Sequence, residues 1–251
     1  MSATFPVMSY CGPTPLPANL WERWNLDPIV LATMAIALGA YLFWYRDAPR
    51  GRACFIAGMA VLAIIFISPL CALTVALFSA RVVHHVMLVA VAAPLVVWAL
   101  IGRKSASHRI VLARLLTPLL VFHAVIFWLW HAPTIYASAL ASTPVYWAMQ
   151  MSLLSSAALF WASVLLASPA RAITALLAAT VQMALLGAIL VFSDRPLYEP
   201  HFFTSAAFGI EPLPDQQLAG LIMWVPASLP YLLVAMLRLV DWLRHTEARR
   251  A

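Results

Sequence analysis

The sequence predicts an all-α membrane protein built as a bundle of seven transmembrane helices. Of its 251 residues, 64% are hydrophobic and only 10% are charged, and the mean hydropathy is +0.92. A soluble domain of this size needs far more charge to cover its surface. Several apolar stretches approach or exceed the roughly 20 residues that cross a bilayer as a helix. These observations exclude the soluble globular classes.

Each predicted span is an apolar run bounded by charged residues, prolines or turn residues. The spans lie near 29–45, 54–70, 82–101, 110–131, 145–167, 172–192 and 216–240. The first two are short, so they need a nearly perpendicular course or flanking side chains that reach the interface. We therefore divide the chain into an N-terminal segment (1–28), a transmembrane domain (29–243) and a basic tail (244–251).

The basic residues predict the orientation of the bundle. With seven spans, twelve of the fifteen lysines and arginines fall on one side, and only Arg23, Arg81 and Arg195 fall on the other. The twelve are Arg46, Arg50, Arg52, Arg103, Lys104, Arg109, Arg114, Arg171, Arg238, Arg244, Arg249 and Arg250. The positive-inside rule then puts the N-terminus outside and the C-terminus in the cytoplasm. The net charge of +6 follows from this topology and does not indicate nucleic-acid binding.

The N-terminal segment is rich in proline and ends near Trp21 and Trp24, which we expect to anchor it at the membrane interface. It lacks a basic region followed by an apolar core, so we expect no cleaved signal peptide. Cys11 and Cys71 both fall on the predicted outer side, where a disulfide is allowed. The sequence leaves open whether they pair, because it does not give their separation in space.

Most of the unusual polar residues also fall on the predicted outer side. Arg81 and His85 share a helix face at the start of the third span, whereas His84 is rotated by about 100°. His131 ends the fourth span. Polar side chains this close to a bilayer are candidates for function. Imidazole and thioether groups suit copper, although no HExxH or CxxC motif accompanies them.

Structural roles stand beside these functional ones. His84 is also expected to face lipid headgroups or a loop, His85 to be a hydrogen-bonded packing residue, and His131 to be part of an aromatic belt at the helix end. Arg81 is typical of an interfacial anchor, and Asp215 of a helix N-cap.

Four stretches together resemble a known family. They are FSARVVHHVMLVAVAAPLVV, FWLWHAPTIYASAL, ALFWASVLLASP and LPDQQLAGLIMWVP. They resemble the CtaG-type, caa-oxidase-associated assembly factors of cytochrome c oxidase, which are seven-span proteins of the bacterial inner membrane. The resemblance covers roughly residues 70–243, and the W-H-x-P and D-Q-Q-x-A-G-x-x-M-W pieces carry most of it.

The resemblance implies a copper site on the outer face, but two of the expected histidines are replaced. Arg81 stands where the family has a histidine, and so does Gln150, whereas His85, His131 and Asp215 match the pattern. The candidate copper ligands are His85, His131, His84, His201 and Met149. The candidate surrounding network is Arg81, Gln150, Asp215, Tyr146 and Asp194. A guanidinium repels a metal cation, so Arg81 is expected instead to pair with Asp215, Asp194 or Glu199.

The resemblance also implies the function. We expect a non-enzymatic assembly factor of a haem-copper oxidase that handles copper or holds a nascent subunit at the periplasmic face. Oxidase subunits or copper chaperones are the expected partners. A copper permease is an alternative, with His123, Gln182, Met183 and Met223 as the only deep polar or soft groups. A metal-free scaffold that keeps the fold and the oxidase binding is another. An intramembrane hydrolase using Ser152, Ser155 or Ser156 lacks any nucleophile motif.

Overall fold

The computed structural model describes residues 9–45, 49–101 and 106–248, and these contain helices and no strand. The all-α prediction is therefore confirmed. The helices are α1 (Pro28–Trp44), α2 (Pro49–Ile67), α3 (Pro69–Ala76), α4 (Phe78–Val86), α5 (Ala93–Ile101), α6 (Ala106–Arg114), α7 (Leu116–His131), α8 (Pro133–Ala141), α9 (Thr143–Leu166), α10 (Pro169–Phe192), α11 (Pro212–Trp224) and α12 (Leu229–Glu247). The predicted cytoplasmic residues Arg46, Arg103, Lys104, Arg249 and Arg250 lie outside the described residues.

The described helices include four that are long and apolar enough to cross a membrane, or six when each of two bent pairs counts as one span. The four are Phe78–Ile101, Thr143–Leu166, Pro169–Phe192 and Pro212–Glu247. The bent pairs join α2 to α3 at 51° and α7 to α8 at 73°. Helix α1 is apolar but has only 17 residues. The seven-span count and the orientation of the termini stay predictions.

Helix α9 lies at the centre of the bundle and packs against α5, α6, α7 and α8. Its buried side includes Tyr146, Met149, Leu153, Ala157 and Phe160, spaced by three or four residues. This spacing places them on one face of the helix. Gln150 lies on the same buried side, so α9 carries a polar group into the interior.

Helices α10 and α11 cross where each has a glycine. A Cβ atom added at Gly187 would lie 2.8 Å from the carbonyl oxygen of Gly220, and one added at Gly220 would lie 2.6 Å from the oxygen of Gly187. Small residues allow such close backbone contact between membrane helices. The contact fixes α11, and with it Asp215, against the rest of the bundle.

A π-helical turn, Met87–Ala92, joins α4 to α5 directly after His84 and His85. Pro94 follows this turn. A proline ring clashes with the carbonyl four residues earlier, which is that of Ala90 within the turn. Trp161 on α9 donates a hydrogen bond of 2.8 Å from its indole nitrogen to the Val89 carbonyl. The irregular segment is therefore held by the central helix, as is typical of π-helical turns near functional sites.

Hydrogen bonds between segments that are distant in the chain divide these segments into two groups. The Arg171 side chain donates to the Arg114 carbonyl, and Arg238 donates to the carbonyl of Ala167. All four belong to segments that were predicted to lie toward the cytoplasm. A second set of contacts, described below, joins the segments that were predicted to lie outside. This grouping agrees with the predicted connectivity.

The N-terminal segment is irregular apart from a 3-10 turn at Pro17–Glu22. Trp21 and Trp24 within and after it are exposed, as interfacial anchors require. Residues 9–11 lie against α9 instead of extending into solvent, because Tyr10 stacks on Tyr146 with ring centroids 4.9 Å apart.

Candidate functional site

Arg81 lies in the interior with its whole side chain buried. The centre of its guanidinium lies 5.4 Å from the centroid of the Tyr146 ring, which is a cation–π distance. The hydroxyls of Tyr136 and Tyr146 are nearby but not in hydrogen-bonding geometry. Among the residues that the structure describes, none accepts a hydrogen bond from its Nε, Nη1 or Nη2.

Asp215 does not pair with Arg81, although the sequence suggested that it would. Its carboxylate accepts hydrogen bonds from the backbone nitrogens of Phe78 and Ser79, at 2.7 and 3.2 Å, and from the Ser79 hydroxyl. Asp215 therefore caps the N-terminus of α4 from a different helix, α11. The expectation of an N-cap was right in kind, but the capped helix is α4.

The other predicted partners of Arg81 do not reach it either. Asp194 and Glu199 are exposed in the segment between α10 and α11. Within the described ranges, no carboxylate forms an ion pair with the guanidinium. The expected salt bridge to Asp215, Asp194 or Glu199 was wrong. Helix α10 ends at Phe192, and Asp194 lies exposed in the irregular segment that follows.

His84 and His85 are buried one after the other on α4, with ring centroids 5.7 Å apart. The edge of His84 meets Phe66 at 5.1 Å, and the Ile65 carbonyl lies nearby outside hydrogen-bonding geometry. None of the four ring nitrogens has a hydrogen-bond partner among the described residues. The 100° rotation between the two residues therefore does not bring His84 to the surface, because α2 covers that side of α4.

His131 meets His85 at the end of α7, with ring centroids 5.9 Å apart. Its Nδ1 lies 2.7 Å from the carbonyl oxygen of Phe127. A carbonyl only accepts, so Nδ1 carries the proton and Nε2 keeps a free lone pair. A hydrogen bond of this kind is how metal-binding histidines are commonly oriented. His85 and His131 are thus the pair best placed to hold an ion between them.

His201 belongs to a separate hydrogen-bonded chain. Its Nε2 lies 2.7 Å from the Tyr136 hydroxyl, and its Nδ1 lies 3.3 Å from the Ala76 carbonyl. Nδ1 therefore donates to Ala76, and Nε2 accepts from Tyr136. Burial lowers the pKa of His201 to about 3, so it is neutral at physiological pH. Both of its nitrogens are engaged, which leaves no lone pair for an ion.

The remaining candidates lie on α9. Tyr146, Met149 and Gln150 are fully buried on its inner side. Gln150 lies beside the Tyr146 hydroxyl, yet its amide oxygen and nitrogen have no hydrogen-bond partner in the described part of the chain. We use the name polar cluster for the residues that gather around Arg81. It consists of Arg81, His84, His85, His131, Tyr146 and Gln150.

A disulfide lies at the end of the polar cluster that faces the N-terminal segment. Cys11 is bonded to Cys71, so the N-terminal segment is tied to α3. Tyr10 stacks on Tyr146 and donates a hydrogen bond of 2.7 Å to the carboxylate of Asp27. This hydrogen bond is the main reason why the pKa of the Asp27 carboxyl is lowered. The sequence left open whether Cys11 and Cys71 pair, and the structure shows that they do. The disulfide holds the neighbouring Tyr10 against the polar cluster.

Sequence reasoning missed two residues at this end. Tyr10 and Tyr136 were not singled out, although both contact polar cluster residues or their neighbours. Tyr136 lies five residues after His131 in HAPTIYASAL. A tyrosine in an apolar stretch usually buries its ring and needs a partner for its hydroxyl. That need was the available signal, and the partner is His201.

No group of three or more histidine, cysteine, aspartate or glutamate side chains that could hold a metal ion occurs in the part of the chain that the structure describes. His85 and His131 form a pair, and Arg81 adds positive charge close to His85. The copper site stays a prediction on these two histidines.

Comparison with known proteins identifies the family. A family model described as "Cytochrome c oxidase caa3 assembly factor (Caa3_CtaG)" matches residues 37–245, which is most of the chain. No curated protein and no solved structure matches. The matched range spans the helices that carry the polar cluster and the Asp215 cap. The chain therefore belongs to the cytochrome c oxidase caa3 assembly factor family.

Proposed function

We propose that this chain acts at the outer face of the bacterial inner membrane, where it holds a nascent subunit of a haem-copper oxidase during assembly. Membership of the caa3 assembly factor family supports a role in oxidase assembly. The observation that carries the location is the Cys11–Cys71 disulfide at the polar end of the bundle. Disulfides form and persist in oxidising compartments such as the bacterial periplasm.

The disulfide and the basic residues favour the same orientation. The positive-inside rule puts the side with most arginines in the cytoplasm, which puts Cys11 and Cys71 outside. Two physically independent features, charge and redox state, thus support one topology. The polar cluster, the Asp215 cap and the His201 chain then all lie toward the periplasm.

The role that we propose is binding without bond-making chemistry. Ser152, Ser155 and Ser156, the serines considered for a hydrolase, each donate to a carbonyl three residues earlier on α9. Ser156 also lies 3.0 Å from His123 Nδ1, but its hydroxyl proton is directed to the Leu153 carbonyl and not to the imidazole, so the pair does not form a serine activated by a base. An assembly factor needs only differential affinity for the unassembled subunit.

Deletion of the gene in the bacterium that carries it tests this function. The measurements are oxidase activity and the membrane content of the oxidase subunits, with plasmid-borne wild type as the control. We expect assembled oxidase to fall several-fold in the deletion strain and to return with the plasmid. Unchanged subunit content, copper content and activity would overturn the proposal.

Handling of copper is a second candidate function, in which the ion is cargo. It is favoured by the juxtaposition of His85 and His131, with a free lone pair on His131 Nε2 and no protein partner on either nitrogen of His85. Two imidazoles suffice for Cu(I), which a soft donor such as Met149 also suits. The positive charge of Arg81 opposes binding.

Metal analysis of the purified protein after Cu(I) loading under reducing conditions separates the two candidates. Near-stoichiometric copper that is lost in His85→Ala and in His131→Ala supports copper handling. No copper in the wild type supports a metal-free holding role. The permease alternative has less support, because its deep groups have protein partners: His123 meets Ser156 at 3.0 Å, and Gln182 accepts from Trp128 at 2.8 Å.

A further inference from the structure

Arg81 carries a permanent positive charge in the interior, and none of the described residues accepts a hydrogen bond from it. The guanidinium carries five N–H donors and cannot be deprotonated in a protein. Its three nitrogens are buried and lack a hydrogen-bond partner in the described part of the chain. The Tyr146 ring face lies against one side of the guanidinium, and the hydroxyls of Tyr136 and Tyr146 are nearby but outside hydrogen-bonding geometry. These oxygens are neutral, so the positive charge stays unpaired. A buried charge of this kind is strongly unfavourable unless it is paired.

The nearest candidate counter-charge, Asp215, is already engaged. Its two carboxylate oxygens accept three hydrogen bonds from Phe78 and Ser79 at the start of α4. The carboxylate is therefore committed to the N-terminus of α4 and does not pair with the guanidinium. The in-plane donors of Arg81 still require an acceptor.

Other unsatisfied donors surround the guanidinium. His85 lies one helical turn after Arg81 on the same face of α4, and its ring centroid is 5.7 Å from that of His84. Both imidazoles offer N–H donors, and the Gln150 amide offers two more. All of these groups are buried without a hydrogen-bond partner among the described residues. A cluster in which N–H donors outnumber the available protein acceptors is suited to an anion.

We propose that Arg81 is the centre of a buried binding site for a small monovalent anion of the size of chloride. Enclosure favours a small ion, because Arg81, His84, Tyr146 and Gln150 are all fully buried and Tyr10 stacks on Tyr146. A peptide carboxylate or a lipid phosphate would need an open path to the surface. One negative charge matches the single cation. His84, His85 and Gln150 supply the remaining hydrogen bonds.

The anion site is inferred from Arg81 and the buried groups around it, and it does not depend on the proposed function. Its structural consequence is that α4 and α9, which carry Arg81 and Gln150, are held together by the anion. A ligand that binds only the folded protein stabilises it in proportion to the logarithm of its concentration. Stability should therefore respond to the anion present and not only to ionic strength.

The test uses the full chain in detergent and measures chloride binding by equilibrium dialysis with radioactive chloride. Thermal unfolding is followed in parallel while chloride replaces gluconate at constant ionic strength. We expect about one chloride per chain and an unfolding temperature that rises with chloride concentration. In Arg81→Gln we expect binding to weaken at least tenfold and the chloride dependence to vanish. The matched control is Arg195→Gln, which removes the same charge from an exposed position.

A second pair of variants keeps the test decisive if Arg81→Gln fails to fold. Arg81→Lys keeps the charge but loses the planar fork, and Gln150→Leu removes the amide donors with little change in size. Both should weaken chloride binding several-fold. Absence of bound chloride in the wild type would overturn the proposal and assign the buried donors to water. Chloride binding that persists in all three variants would place the ion elsewhere and would overturn it equally.

Discussion

The carboxylate of Asp215 lies 2.7 Å from the backbone nitrogen of Phe78, a residue 137 positions earlier in the chain. The contact joins the first turn of α11 to the first turn of α4. An aspartate normally caps its own helix, but here the negative charge complements the dipole of a neighbouring one. Asp215 therefore fixes the position of the helix that carries Arg81, His84 and His85.

Replacing Asp215 by asparagine should destabilise the protein. Asparagine keeps only one oxygen. Its NH2 group would therefore face a backbone N–H that donates to the carboxylate in the wild type. Hydrogen bonds to a buried charged group contribute about 1.5–3 kcal/mol each, and we expect a loss of about 2–3 kcal/mol. Thermal unfolding in detergent is the measurement, and Asp194→Asn at an exposed position is the control. Equal unfolding temperatures for Asp215→Asn and the wild type would contradict the capping role.

The crossing of α10 and α11 predicts a penalty for any side chain at Gly220. A Cβ atom there would lie 2.6 Å from the Gly187 carbonyl oxygen and 2.8 Å from Val191 Cγ2. Backbone atoms cannot move aside cheaply, so Gly220→Ala should cost about 1–3 kcal/mol, the usual range for overpacking. Gly39→Ala is the matched control, because nothing lies within 4 Å of its Cβ position. A Gly220→Ala variant as stable as Gly39→Ala would show that the helices do not approach closely.

The buried His201 predicts that acid destabilises the fold. Its pKa is about 3 in the folded protein and 6.5 as the reference value for the unfolded chain. The unfolded state therefore binds the proton more readily, and stability falls as pH drops from about 6.5 toward 3. At pH 5 the loss is about 2 kcal/mol, from 1.4 kcal/mol per pH unit.

The difference in stability between pH 7 and pH 5 isolates this effect when His201→Gln is compared with the wild type. Glutamine can still contact Tyr136 but does not titrate. The variant should lose less stability on acidification than the wild type. Parallel pH profiles for the two proteins would mean that His201 titrates normally.

The disulfide predicts a specific pattern of thiol labelling. Cys11 and Cys71 are bonded, and Cys54 is free. The denatured protein should therefore label at one cysteine without reductant and at three with it. The bridge closes a loop of 60 residues, and such bridges contribute about 2–4 kcal/mol. Cys11→Ser should lower the unfolding temperature accordingly, whereas Cys54→Ser should not. Three reactive thiols before reduction would disprove the bridge.

The sequence predicted the fold class well because hydropathy acts locally. Long apolar runs specify helices whatever their neighbours are. The period of the helix also predicted that Arg81 and His85 share a face, and both are buried. It failed for His84, because its burial depends on Phe66 of α2, which no local pattern connects to α4.

Partners that lie far apart in the chain were beyond sequence reasoning. The contact of Asp215 with Phe78 and that of His201 with Tyr136 depend on how helices pack. The salt bridges expected for Arg81 failed for the same reason: charge sign gave candidate partners but no distances. Asp194 shows the converse error, since closeness to a helix end in sequence did not bring it into the polar cluster.

The central claim is that the polar cluster supports oxidase assembly. The most direct measurement is the content of assembled oxidase in the deletion strain complemented with His85→Leu, Arg81→Met or, as the control, His245→Leu on the exposed end of α12. Equal membrane levels of the three variants must be verified by immunoblot. We predict that His85→Leu and Arg81→Met leave assembled oxidase several-fold below the wild-type level, while His245→Leu restores it. Full restoration by all three would contradict a role for the polar cluster in assembly.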